Sequence, residues 1–209
     1  MPLQVAPAPA PALRSVLAAL SSPTAVREAR TPSLRSAAGP LVAEHPLPLH
    51  VLDPVIAGPD GLPRARLTGW RFHIHSGERS EAGIPSAEGR GRVVAAGETI
   101  HTPDGWAFSH FREGPYLAST ERALLQADAL VTPYQPHLLS VPGLYMLTLW
   151  LHGDIGADAG TAQPAATDLL IPLAPAPPGI AAHRLHRFSD LMPMLTLRLA
   201  PPPLLGTTA

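Results

Sequence analysis

A chain of 209 residues, of which 45% are hydrophobic and 15% are charged, is long enough to bury a core of its own. Cysteine and lysine are absent, which excludes disulfides, thiolate nucleophiles, cysteine-bound metals and lysine-based phosphate or Schiff-base chemistry. The formal net charge is −1 and no basic run occurs, so we expect no nucleic-acid partner and no membrane span.

Both ends of the chain are rich in proline and small residues. Prolines interrupt residues 1–46, where only residues 14–20 could form a short helix. We therefore interpret 1–46 as a flexible extension rich in Pro, Ala and Ser, either a docking arm or an Arg- and Ser-rich targeting segment. Residues 201–209 are predicted to be a loose tail, and residues 47–200 a single domain. The bias toward Ala, Pro, Arg and Leu is typical of a high-GC bacterium, and we expect a cytoplasmic protein.

The first half of the predicted domain consists of strands. Four segments have strand composition: residues 47–53, 64–76, 92–102 and 105–113. The second alternates strictly, with Trp70, Phe72 and Ile74 on one face and Arg71, His73 and His75 on the other. The turn at 102–105 predicts a hairpin between the last two strands. In this hairpin, His110 shares a face with Trp106 and Phe108, which predicts that it is packed in the core.

The second half begins with a helix. Residues 114–131 have helical spacing, and the predicted buried stripe consists of Leu117, Leu124 and Val131, widened by Leu125 and Ala127. Residues 144–151 are apolar on both faces, as in a central strand. An edge strand or a strand end follows at 168–175, and a second helix begins near Ser189. These elements predict an α+β domain, with a mainly antiparallel sheet and one or two packed helices.

The spacing of His73 and His75 places both imidazoles on one side of a strand, as adjacent metal ligands require. The alternative, which we prefer, is that Arg71, His73 and His75 form the solvated face of a half-buried strand, because Trp, Phe and Ile occupy the opposite face.

Two segments resemble the metal-binding motifs of cupins. Gly97, Pro103 and Gly105 have the spacing of the second cupin motif, and His73, His75 and Glu78 are similar to the first. His110 lies two residues beyond the place of the second motif's histidine. The resemblance implies a metal-dependent enzyme that binds a divalent transition metal through His73, His75, Glu78 and His110.

A second group of polar residues lies near the end of the domain. His183, Arg184, His186 and Arg187 predict a polar patch that could face an anion. With no stronger catalytic motif, the leading hypothesis is a non-catalytic binding or assembly module without a cofactor. It would dock through its tails or an exposed sheet edge, onto a protein partner or a second copy of itself. The cupin-like metalloenzyme is the alternative.

Overall fold

The computed structural model describes residues 3–37, 39–58, 61–77 and 92–199. Its centre is a single sheet of eight strands. The strands are β1 (Leu41–Ala57), β2 (Pro63–Ser76), β3 (Arg92–Thr102), β4 (Gly105–Arg112), β5 (Gln135–Val141), β6 (Met146–His152), β7 (Leu169–Pro172) and β8 (His186–Arg187). The α-helices are α1 (Ala10–Leu20), α2 (Pro23–Glu28), α3 (Pro32–Arg35), α4 (Pro115–Asp128) and α5 (Phe188–Leu199).

The strand order is β4-β3-β2-β1-β5-β6-β7-β8. Neighbouring strands pair antiparallel except β1 and β5, which pair parallel. The α+β class and the mainly antiparallel sheet are therefore confirmed, although the part of the chain described here has five α-helices and not one or two. None of these helices has the length and apolar character needed to cross a membrane.

Strand β1 lies in the middle of the sheet although it contains three prolines, at positions 46, 48 and 54. Proline cannot donate to a strand ladder and is tolerated at bulges. The register with β2 shifts between Glu44 and Leu47 and again between Asp53 and Ala57, where two of the three prolines lie. The prediction that this strand begins at residue 47 was wrong, because the bulge at Pro46 lets the strand continue from Leu41.

The N-terminal helices cover one face of β2, β3 and β4. Ala12 and Val16 of α1 are fully buried in the same cluster as Trp70, Phe72 and Ile74. The approach is close, because a Cβ on Gly97 would lie 2.8 Å from Val16 Cγ1. In the structure the N-terminal segment thus shares the core of the domain, and β1 runs through residue 46. The predicted division into a flexible extension (1–46) and a domain (47–200) remains a prediction about how the chain behaves in solution.

Helix α4 covers the opposite face of the sheet with small side chains. Ala123 and Ala127 are fully buried against leucines of β5 and β6. Of the predicted stripe, Ala127 is buried and Leu124 packs against the same cluster, but Leu125 and Val131 are 73% and 98% exposed, so the prediction was wrong for these two residues. A helix that lies close to a flat sheet buries its small residues, and the larger ones project sideways to solvent.

Strand β6 is the central strand that the sequence predicts. Leu149 and Trp150 are fully buried, and Leu147 is 6% exposed. The two faces of β6 contribute to different clusters, with Leu149 under α4 and Trp150 under α5 and the segment 153–167. Tyr145, also predicted to be buried, precedes the strand in a left-handed conformation and is 91% exposed.

Candidate metal centre

The polar face of β2 is buried and not solvated. Arg71, His73 and His75 are 5%, 2% and 8% exposed, so the preferred interpretation of this face was wrong. Strand β2 lies between β1 and β3, and its polar residues are on the α4 side of the sheet, where Arg71 pairs with Leu47. Burying three polar side chains on one face of a strand costs free energy unless hydrogen bonds or ion pairs compensate it.

A β-bulge brings two residues of β1 to this face. In a regular strand, Glu44 and His45 would point to opposite sides. His45 has φ +49°, in the left-handed region, at the point where the register between β1 and β2 shifts. One ligand atom from each of Glu44, His45 and His75 can be chosen so that all three lie within 4.8 Å of one another. The bulge therefore builds a group of two imidazoles and one carboxylate.

The geometry of this group suits a small metal ion. Glu44 Oε2 lies 4.0 Å from both His45 Nδ1 and His75 Nε2. In a tetrahedral site with metal–ligand distances of about 2.1 Å, ligand atoms are about 3.4 Å apart. Each contact must therefore shorten by about half an ångström, which side-chain rotation can provide. Two histidines and one carboxylate are donors that divalent transition metals bind.

Exposure differs across the group. The side chains of Glu44 and His45 are 46% and 32% exposed, whereas that of His75 is 10% exposed. The group thus opens to solvent on one side, so an ion could enter and keep a solvent-derived ligand.

His73 lies behind the group. Its ring centroid is 6.3 Å from that of His45, and its Nε2 is buried without a hydrogen-bond partner. Burial, and then the charge of Arg71, lower the pKa of His73 to about 3. His73 is therefore neutral at ordinary pH, the state in which an imidazole binds a metal.

Arg71 belongs to a buried ion-pair network next to the group. Its Nε and Nη2 donate to Glu98 Oε1 at 3.0 and 2.7 Å, and Arg112 Nε lies 3.2 Å from the same oxygen. Burial would raise the pKa of Glu98, but the charges of Arg71 and Arg112 outweigh burial and hold this pKa below its usual value. The carboxylate is thus ionised and compensates the buried guanidinium.

His110 belongs to this network and not to the metal group. The register between β3 and β4 shifts between Glu98 and Thr99, which pairs His110 with Glu98 and turns it away from Phe108. Its side chain is 43% exposed, so the predicted core packing was wrong. Arg112 Nη2 lies 3.0 Å from His110 Nε2, and a guanidinium only donates, so this nitrogen accepts. Glu78, the other cupin-like ligand, lies outside the described residues.

The four residues of the predicted anion-facing patch are divided between two places. His183 has φ +60° and turns inward, with its Nε2 3.1 Å from Ser119 Oγ of α4. Arg184, His186 and Arg187 line a groove between β8 and α5, together with Asp190. Two arginines there face one carboxylate, so the groove is cationic but not strongly so.

Comparisons with protein-family models, with curated proteins and with solved structures found no match. The open strand order from β4 to β8 also differs from the closed barrel of cupins. Sequence reasoning placed His73 and His75 on one face but missed Glu44 and His45. The available signal was the His45–Pro46 step inside a strand, since proline in a central strand indicates a bulge.

Proposed function

We propose that this chain binds a divalent transition metal through Glu44, His45 and His75. The observation that carries the proposal is the convergence of these three side chains at a strained bulge. A non-glycine residue in the left-handed region costs free energy, and such residues cluster at functional sites.

The donor set favours a reactive centre over a purely structural one. Structural zinc sites are closed by four protein ligands, whereas catalytic sites keep a position for water or substrate. Two histidines and one carboxylate with open positions are typical of non-haem iron and zinc enzymes. We therefore favour the metal-dependent enzyme over the binding module, with the buried ring of His73 next to that of His45.

Docking at a sheet edge is the second candidate function. Strand β8 is an edge strand of two residues, and the groove beside it combines Arg184 and Arg187 with apolar side chains of α5. Self-association through this edge predicts a concentration-dependent mass in sedimentation, which Arg187→Glu should abolish. A monomer at all concentrations would contradict self-association and leave only a different protein partner.

The metal proposal is tested with the full chain, purified without a histidine tag. We expect the wild type to bind Co²⁺ or Zn²⁺ at Glu44, His45 and His75, and His45→Gln with His75→Gln to remove that binding. His101→Gln is the matched control, because His101 is an exposed histidine whose ring makes an edge-to-face contact with Trp106. Isothermal titration and elemental analysis give the stoichiometry. Equal stoichiometry in the double variant and the wild type would refute the proposal.

A further inference from the structure

The groove between β8 and α5 combines apolar side chains with positive charges. Its volume is about 550 Å³, within the range of about 300–1,000 Å³ that small-molecule sites occupy. Its lining includes the buried side chains of Ile180 and Leu191, whereas Leu185 and Met194, which are 37% and 41% exposed, keep apolar surface in contact with solvent. A ligand that covered Leu185 and Met194 would gain free energy by removing this apolar surface from water.

The two arginines that line the groove have no carboxylate partner. Among the described residues, no carboxylate forms an ion pair with the guanidinium of Arg184 or Arg187. Asp190, which also lines the groove, accepts a hydrogen bond from Ser189 Oγ at 3.1 Å instead. Two unpaired guanidinium groups beside one carboxylate leave the groove with an excess of positive charge.

Two further polar side chains differ in what they contribute to this charge. Arg198 Nη1 donates to the carbonyl oxygen of Pro178 at 2.6 Å. Its Nη2 lies beside the groove, because a Cβ on Gly179, a residue of the lining, would be 2.9 Å from that nitrogen. Burial, and then the charge of Arg184, lower the pKa of His186, which also lines the groove. Arg198 therefore adds a third positive charge near the groove, whereas His186 is neutral at pH 7.

Side chains, and not the start of α5, provide the positive charge of the groove. The first two N–H groups of α5, those of Phe188 and Ser189, donate to the carbonyl oxygens of Asp168 and Ala166 at 2.7 and 3.2 Å. These N–H groups are therefore not available to an anion, although a helix N-terminus is otherwise suited to bind one. An anion in the groove must pair with guanidinium groups, whose planar fork of N–H donors matches the two oxygens of a carboxylate.

We propose that the groove between β8 and α5 binds a small amphipathic monoanion, a carboxylic acid with an apolar chain, through Arg184 and Arg187. The carboxylate pairs with the guanidinium groups, and the chain covers the exposed apolar surface of Leu185 and Met194. The charge of Asp190 disfavours a doubly charged head group such as a phosphate monoester, because like charges in one site repel each other. The proposal is independent of the proposed metal site, which shares no residue with the groove.

The experiment titrates the full chain, without a tag and with ¹³C-labelled methionine methyl groups, with octanoate below its critical micelle concentration. Octanoate has both a carboxylate and an apolar chain, whereas acetate has only the carboxylate and octanol only the chain. We expect octanoate to shift the methyl signal of Met194, which lines the groove, and to leave that of Met146 in β6 unchanged. Acetate and octanol are each expected to bind at least tenfold more weakly than octanoate.

Charge-matched variants test the role of the arginines. Arg184→Gln with Arg187→Gln is expected to lower the affinity for octanoate at least tenfold. Arg27→Gln with Arg30→Gln is the matched control, because these arginines have the same spacing in the sequence and all four are exposed. No shift at Met194, equal affinities for octanoate and octanol, or equal losses in the two double variants would each overturn the proposal. Octyl phosphate is expected to bind more weakly than octanoate at about pH 8, where its head group carries two charges, and tighter binding would overturn the choice of a monoanion.

Discussion

At the residue scale, His45 is the residue whose backbone and side chain have opposing requirements. Its φ of +49° is a conformation that glycine adopts freely and that costs other residues about 1–2 kcal/mol. An imidazole at this position therefore lowers stability, and we infer that its side chain is retained for binding. Glycine at this position would relieve the strain but would lose the ligand.

We predict that His45→Gly leaves the free energy of unfolding within about 1 kcal/mol of the wild type, because the relieved strain and the added freedom of the unfolded chain oppose each other. The same change should lower the affinity for the metal proposed at Glu44, His45 and His75 at least tenfold. Urea unfolding and metal titration measure the two effects. Tyr145→Gly is the matched control, because Tyr145 has φ +50°, is 91% exposed and is not one of the proposed metal ligands. Loss of affinity in the control would contradict the prediction.

Glu98 permits a prediction of pH dependence. Its pKa in the folded chain lies below its ordinary value of 4.5, so its contribution to stability is present above about pH 4.5 and is lost as the pH falls through the folded-state pKa. At pH 7, Glu98→Gln leaves Arg71 buried and unpaired, at a cost of about 3–5 kcal/mol.

The measurement is urea unfolding of the wild type and Glu98→Gln from pH 7 to pH 3. The difference in unfolding free energy between the two proteins should shrink below about pH 4.5, where Glu98 of the unfolded wild type takes up its proton, and should be lost as the pH falls through the folded-state pKa. Glu28→Gln serves as the control, because Glu28 is exposed. If the difference in unfolding free energy stayed constant from pH 7 to pH 3, the destabilisation by Glu98→Gln would not come from the charge of Glu98.

At the element scale, the buried face of α4 is set by its distance from the sheet. Ala123 is fully buried against leucines of the sheet, whereas Leu125 is 73% exposed. We predict that Ala123→Leu destabilises the protein by about 1–3 kcal/mol through overpacking. Leu125→Ala should change stability by less than about 0.5 kcal/mol, as surface changes do. Thermal unfolding of both variants is the measurement, and the reverse order would place the other side of the helix against the sheet.

The pattern of apolar and polar residues in the sequence predicted those elements that can be recognised from their own residues alone. Strand β2 alternates with a period of two, β6 is apolar on both faces, and the turn between β3 and β4 has hairpin residues. Pro46 is a signal for one bulge, but the registers at the bulges were not predictable, because a register shift depends on the partner strand. The shift opposite Glu98 moved His110 out of the core, and the bulge at His45 created a site that alternation would forbid.

At the scale of the whole molecule, the N-terminal helices complete the core that β2 leaves open. Val16 is fully buried among Trp70, Phe72 and Ile74, whereas its neighbour Leu17 is 41% exposed. The interpretation of residues 1–46 as a flexible extension predicts rapid cleavage there, whereas packing against the sheet predicts protection.

We predict that trypsin cleaves the native chain slowly at Arg14 and Arg35. If opening of the helices costs about 3 kcal/mol, cleavage is about 100-fold slower than in the urea-unfolded chain. Val16→Asp should abolish this protection by burying a charge, and Leu17→Asp, the matched control, should not. Mass spectrometry of the N-terminal fragments gives the rates. Equal rates in the native and unfolded chains would support the flexible extension instead.

The parallel pairing of β1 and β5 has a consequence for how the chain assembles. The register between them covers three residue pairs, from Leu49–Leu138 to Val51–Ser140. On one side of this seam β1 to β4 form consecutive antiparallel pairs, and on the other side β5 to β7 do the same. Each half can condense from contacts that are near in sequence, whereas the seam requires closure of a long loop that includes α4. We therefore expect the seam to form late in folding, with His50 on one side and His137 and His152 on the other. Contacts across the seam, such as that between the rings of His50 and His137, would then slow the separation of the two halves without speeding their meeting.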